Sequence, residues 1–172
     1  MLLVLTMTAA MTACGGGSDA PAQDTNTPAT ESGAGATDSG ATTEGAFLVA
    51  GSAIRTGMNM ADALQILGDP LSYFEAESCA FNGLDKTYTY SGFVVTTRPD
   101  GENDYINSIV LTDDSVTTAK GIYIGSSEAD VVAAYGECDS VTMLSYTFGD
   151  TCLNFIIADG AVISIEYLEV EA

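Results

Sequence analysis

The sequence predicts an α+β fold, in which two tandem helix-plus-three-strand repeats pack short helices on an antiparallel sheet, preceded by a disordered linker. Three observations carry this. A helix-cap motif occurs at Gly57–Pro70 and again at Gly125–Cys138, at a constant offset of 68 residues. Each copy is followed by runs that alternate in strand fashion. Residues 15–45 contain no aromatic or large aliphatic side chain.

The chain opens on the apolar and small residues 1–13, too few for the roughly 20 that span a bilayer, so they are expected to be an export signal and not a structural helix. Met11-Thr12-Ala13-Cys14 resembles the lipobox of bacterial lipoproteins. That resemblance implies that the Cys14 thiol, a strong nucleophile, carries a lipid that anchors the protein to a membrane. No Lys or Arg precedes Arg55, whereas export signals open on positive charge, so translation is expected to start upstream. Residues 14–50 are expected to form the lipidated cysteine and a disordered acidic linker. The Gly, Ser, Thr, Ala and Pro that dominate it bury too little apolar surface to offset the entropy of ordering. About 30 flexible residues give a root-mean-square span of about 30 Å, which lifts a domain off a lipid surface.

Residues 51–116 and 117–172 are expected to be the two repeats, forming one folded unit. Asn59 and Ser127 stand at N-cap positions, with Asp62 and Asp130 three residues on, as in a capping box. Leu64 and Leu67, or Val132 and Tyr135, give each helix an apolar stripe, and Gly68 and Gly136 end the helices with left-handed caps. Strand-like runs follow at 87–90, 92–97 and 105–111, then at 144–148, 152–157 and 162–168. Turns at Pro99-Asp100-Gly101 and Asp159-Gly160 mark hairpins. One such unit is marginal alone; two together make a credible core.

Gly57-Met58, Asp62 and Leu67-Gly68-Asp69-Pro70, with the strands behind them, resemble the repeat of small envelope lipoproteins related to the outer-membrane assembly factor BamE. The tandem form is similar to the β-lactamase inhibitory protein, whose repeats present a concave sheet to an enzyme. Ser78–Tyr90 and Gly121–Gly125 resemble uncharacterised lipoproteins of Gram-positive anaerobes. These resemblances imply a binding role and no enzymatic one.

Composition narrows the chemistry. Four Lys and Arg against 24 Asp and Glu give a net charge of −20, which argues against nucleic acid and against docking on anionic lipid. The chain has no histidine, which excludes Ser-His-Asp and Cys-His catalysis, and no CxxC, so no zinc site and no cofactor is expected. Asp100–Asp104 offers hard oxygen ligands to calcium but lacks EF-hand spacing and sits at a hairpin turn. Cys138 and Cys152 form a candidate disulfide; pairing of Cys79 with either, or three reduced thiols, fits equally. Tyr88, Tyr90, Tyr105 and Tyr146 fall on strands and form the candidate binding surface, since exposed tyrosines suit protein recognition. The expectation is a non-catalytic, lipid-anchored extracytoplasmic module that binds a protein or an envelope component through its sheet. The alternative is a small-ligand or divalent-cation binder that uses its acidic surface.

Overall fold

The computed structural model describes residues 43–140 and 142–170. The signal segment, Cys14 and the linker up to residue 42 lie outside the described residues.

The expected pair of helix-plus-three-strand repeats is not what the chain forms. Among the described residues the fold is mostly one seven-stranded antiparallel sheet with a separate two-stranded sheet and only two short helices. The elements run β1 (Phe47–Val49), β2 (Ser52–Ile54), α1 (Met60–Leu67), β3 (Ser72–Glu77), β4 (Leu84–Tyr90), β5 (Phe93–Asp100), β6 (Asn103–Leu111), α2 (Glu128–Tyr135), β7 (Met143–Phe148), β8 (Thr151–Ala158) and β9 (Ala161–Glu169). The large sheet has the order β3-β4-β5-β6-β9-β8-β7. Two extra features break the expected scheme. Four strands, not three, follow α1, and the β1–β2 hairpin precedes it. The hairpin also corrects the expected linker boundary at residue 50: Ala46 and Phe47 are buried, and Phe47 is among the largest fully buried side chains.

Tight turns set the registers. Asp159 and Gly160 both have positive φ, 51° and 75°, and join Ala158 to its partner Ala161 in the two-residue hairpin that Asp-Gly favours. The β5–β6 turn falls at Gly101-Glu102, one step later than Pro99-Asp100-Gly101, because Pro99 and Asp100 still pair with Asp104 and Asn103.

The helices are held by their caps. The Asn59 side chain accepts from Ala61 N–H at 2.9 Å without a reciprocal bond from Asp62. Ser127 and Asp130 complete the full capping box. Gly68 and Gly136 end the helices at φ 70° and 99°, but with extended ψ and not the left-handed helical conformation expected of them. Two tyrosine hydroxyls tie these ends to the sheet: Tyr90 donates to the Gly68 carbonyl at 3.2 Å and Tyr146 to that of Gly136 at 2.8 Å. The buried helix residues are Met60, Ala63 and Val131, with Leu64, Leu67, Val132 and Tyr135 packed beside them.

The register places the core on one side of the sheet. Tyr88, Val95, Ile109, Tyr167, Leu153 and Tyr146 are successive cross-strand partners from β4 to β7, and so are Tyr90, Phe93, Leu111, Ile165, Phe155 and Leu144. Every one of these residues belongs to the hydrophobic core or packs against it, together with Phe47, Ile54, Met60, Ala63 and Val131. Helices and hairpin therefore cover this face.

Candidate functional site

The opposite face is the candidate site. Because side chains alternate along a strand, two further rows cross all seven strands on the other side. One runs Ser72, Thr89, Val94, Val110, Glu166, Asn154, Ser145; the other runs Phe74, Thr87, Thr96, Ser108, Leu168, Cys152, Thr147. None of these residues belongs to the hydrophobic core or to the side chains packed against it. Half of them carry hydroxyls, and neighbours satisfy one another laterally: Thr96 with Ser108 at 2.8 Å, Ser145 donating to Asn154 at 2.7 Å, and Cys152 donating to the same Asn154 oxygen at 3.3 Å.

Apolar side chains flank this hydroxyl-rich field. At one end Met143 pairs directly with Ile156, and Ile163 is the extra residue where β9 slips against β8; all three are exposed. At the other end Phe74 is 66% exposed. A depression of about 350 Å³ opens beside it, lined by Phe81 from the β3–β4 loop and by Thr87, Thr96, Arg98 and Asn107. The Arg98 guanidinium is fixed there by a two-pronged bond to Glu169, Nε to Oε2 at 2.6 Å and Nη2 to Oε1 at 2.9 Å, and lies 5.5 Å from the Tyr105 ring centre. Glu166 occupies the middle of the face between Val110 and Asn154. Burial among these neighbours lifts its carboxyl above the usual carboxylate range.

The sequence-derived binding tyrosines do not assemble on this face. Tyr88 and Tyr90 are each 8% exposed and point into the core, where Tyr90 stacks on Phe93 at 4.9 Å; burial raises the pKa of both hydroxyls. Alternation along β4 puts them together correctly, but on the face that the helices cover. Tyr146 is half-buried at the rim of that same core face, against Tyr135 and Phe155. Tyr105 is the member of the set on the open side, half-buried beneath Arg98. The open-face residues themselves were missed because Thr, Ser and Val at alternate positions mark a strand without marking a site.

Cys79, Cys138 and Cys152 are free thiols, so Cys138 and Cys152 are unlinked in this structure. Hydrogen bonds from the Ser140 and then the Ser145 backbone hold the Cys138 thiol below its ordinary range. The acidic turn considered for calcium is a two-residue hairpin, and its Asp104 is engaged with Lys86 at 2.5 Å. No group of three or more His, Cys, Asp or Glu side chains suited to a metal ion occurs among the described residues. No helix among the described residues is long and apolar enough to cross a membrane. Comparison of the chain with protein-family models, with curated proteins and with solved structures gives no match.

Proposed function

We propose that this protein is a lipid-anchored extracytoplasmic lipoprotein whose β domain is a non-catalytic binding module, engaging another protein of the cell envelope through the open face of its sheet. One observation carries the reading: among the described residues the hydrophobic core lies on one side of the seven-stranded sheet, and the two rows on its other side end in exposed Phe74 and adjoin exposed Met143, Ile156 and Ile163. A hydroxyl-rich centre with apolar flanks is the composition of a wettable recognition surface and not of a core. The lipobox-like segment ending at Cys14 and the polar linker behind it support the anchor and the reach. A second reading, a small polar ligand, draws on the depression lined by Phe81, Thr87, Thr96, Arg98 and Asn107, which combines an aromatic wall with hydroxyl, amide and guanidinium donors.

Site-specific photocrosslinking of the full chain in its native envelope tests this. A crosslinker at Thr89 or Asn154, on the open face, is expected to capture one discrete protein. At Gln65, exposed on α1, it is expected to capture none. Equal capture from both sides, or none from the open face, overturns the proposal. Cys14→Ala is expected to move the protein from the membrane fraction to the soluble one.

A further inference from the structure

The least explained element is β3. It lies at one end of the sheet order, and all six of its residues, Ser72–Glu77, are exposed. The other edge strand, β7, buries Leu144 and half-buries Tyr146 and Phe148. In β3, by contrast, Tyr73 is 49% and Phe74 66% exposed, and Leu71 just before it is 75% exposed. An edge strand of this length offers a row of unpaired backbone groups, and proteins ordinarily blunt such edges with charged side chains, Lys above all, with Pro or with a bulge. β3 contains no Lys, Pro or bulge, its charges are Glu75 and Glu77 alone, and its six register pairs with β4 run without interruption.

The phase of the free edge follows from the ladder. Ser78 N–H donates to the Gly83 carbonyl at 3.0 Å, which makes Ser78 and Gly83 a hydrogen-bonded pair. Hydrogen-bonded and non-bonded pairs alternate along an antiparallel ladder. Ala76 with Asp85, Phe74 with Thr87 and Ser72 with Thr89 are therefore the bonded pairs, and Tyr73 with Tyr88 is a close non-bonded pair, its ring centres 5.0 Å apart. The N–H and C=O groups of Tyr73, Glu75 and Glu77 consequently point away from β4. The side chains of these three share one face of the strand, where the Tyr73 hydroxyl donates to Glu75. Phe74 and Ala76 lie on the other face.

We infer that β3 accepts an extended segment of a partner protein as an eighth strand, and that this segment alternates basic with apolar residues. Its Lys or Arg residues meet Glu75 and Glu77 on one face, and its apolar residues meet Phe74 on the other. Main-chain bonds to Tyr73, Glu75 and Glu77 supply affinity, and the alternating side chains supply selectivity. Symmetric antiparallel pairing of two copies centred on Glu75, Ala76 or Glu77 sets glutamates against each other, and like charges directly opposite are destabilising. Pairing centred on Phe74 sets Tyr73 against Glu75 and Leu71 against Glu77, so neither glutamate meets a cation across the new pair, as it does with a basic segment; protection of the β3 amides by the chain itself at high concentration, without peptide, overturns the basic segment as the occupant. The inference rests on the reading of this domain as a protein-binding module, and names the edge and the chemistry of what docks there.

The test uses the full chain, isotope-labelled for amide-resolved NMR, and a capped synthetic peptide alternating lysine with valine. Expected on binding is new exchange protection of the Tyr73, Glu75 and Glu77 amides, while those of Phe74 and Ala76, already bonded to β4, change little. A peptide of the same composition with its lysines and valines segregated is expected not to protect them. The double variant Glu75→Lys, Glu77→Lys is expected to weaken binding about tenfold or more, from two favourable cross-strand pairs turned unfavourable. Glu75→Pro, at an N–H that β4 does not use, is expected to abolish the protection while leaving the rest of the spectrum in place. Absence of protection at these amides, equal protection by the segregated peptide, or unchanged affinity in the charge-reversed variant overturns the inference. Open-face crosslinks that persist while β3 stays unprotected refute the edge alone. Protection of β3 in a protein that yields no open-face crosslinks refutes the open face alone.

Discussion

Replacing Phe47 by Ala measures how far the fold extends towards the N-terminus. Phe47 is 1% exposed and meets Phe93 edge-on at 4.8 Å and Tyr167 at 6.1 Å. It comes from a three-residue strand in a two-stranded sheet, and its packing against the large sheet, with that of Ile54 from the other strand, ties the hairpin to the core. Truncating a buried Phe costs about 3–5 kcal/mol, through lost transfer energy and the cavity left behind. With an unfolding entropy of roughly 2.1 cal/mol/K per residue over a domain of about 130 residues, a loss of about 4 kcal/mol lowers Tm by about 15 °C. The assay is thermal unfolding followed by circular dichroism, backed by urea titration, with Leu71→Ala as a surface control expected to lie within about 0.5 kcal/mol of the parent. A chain starting at residue 51 is expected to be destabilised at least as much as Phe47→Ala. If Phe47→Ala costs under about 1 kcal/mol, the hairpin is not part of the core and the reasoning fails.

Two further outcomes follow from the caps and from the open face. Ser127→Ala is expected to cost between about 0.5 and 2 kcal/mol in urea titration, because it removes the bond that Ser127 Oγ accepts from Asp130 N–H and the one it donates to the Asp130 carboxylate, while the Ser127 N–H still donates to that carboxylate; an unchanged midpoint would count against the cap. Glu166 titrates above the usual carboxylate range in the folded protein because burial disfavours its charge. Its contribution to stability is fully present below the unfolded carboxyl pKa and is lost as pH rises through the raised folded value. Glu166→Gln should therefore raise Tm at about pH 7 and leave it nearly unchanged at about pH 3.5, and the same gain at both would show that charge is not the cause.

How much of this was legible in the sequence depends on whether a signal survives on one face. Strands β4 to β9 each bury alternate residues, so period-two patterning and the Asp159-Gly160 turn reveal them. β3 has no such signature because it is exposed on both sides: Tyr73 and Phe74 are adjacent, and nothing in their order marks an inside. β1 and β2 are three residues each, and Phe47 sits just beyond a Gly, Ala and Thr run that dilutes any local pattern. The missed strands are what turned an expected pair of equal repeats into a single asymmetric sheet. The candidate site was less legible still. Alternation says that Tyr88 and Tyr90 share a face, but the choice between core and solvent is made by residues far away, among them Ile109 and Tyr167. The caps at Asn59 and Ser127 needed only local chemistry and were readable.

The strand order also governs the timing of assembly. β6 and β9 meet in the middle of the sheet although more than forty residues separate them, and β9 pairs with β8 on its other side. A chain emerging N-terminus first makes β3 to β6 as a self-contained meander, then waits with the flank of β6 unsatisfied until residues 161–169 arrive. Joining distant segments is slow, and the waiting intermediate carries an open strand edge that invites aggregation. Loss of β9 alone would thus do more than shorten the sheet: it would leave two half-sheets, each ending in a bare strand that was meant to be central.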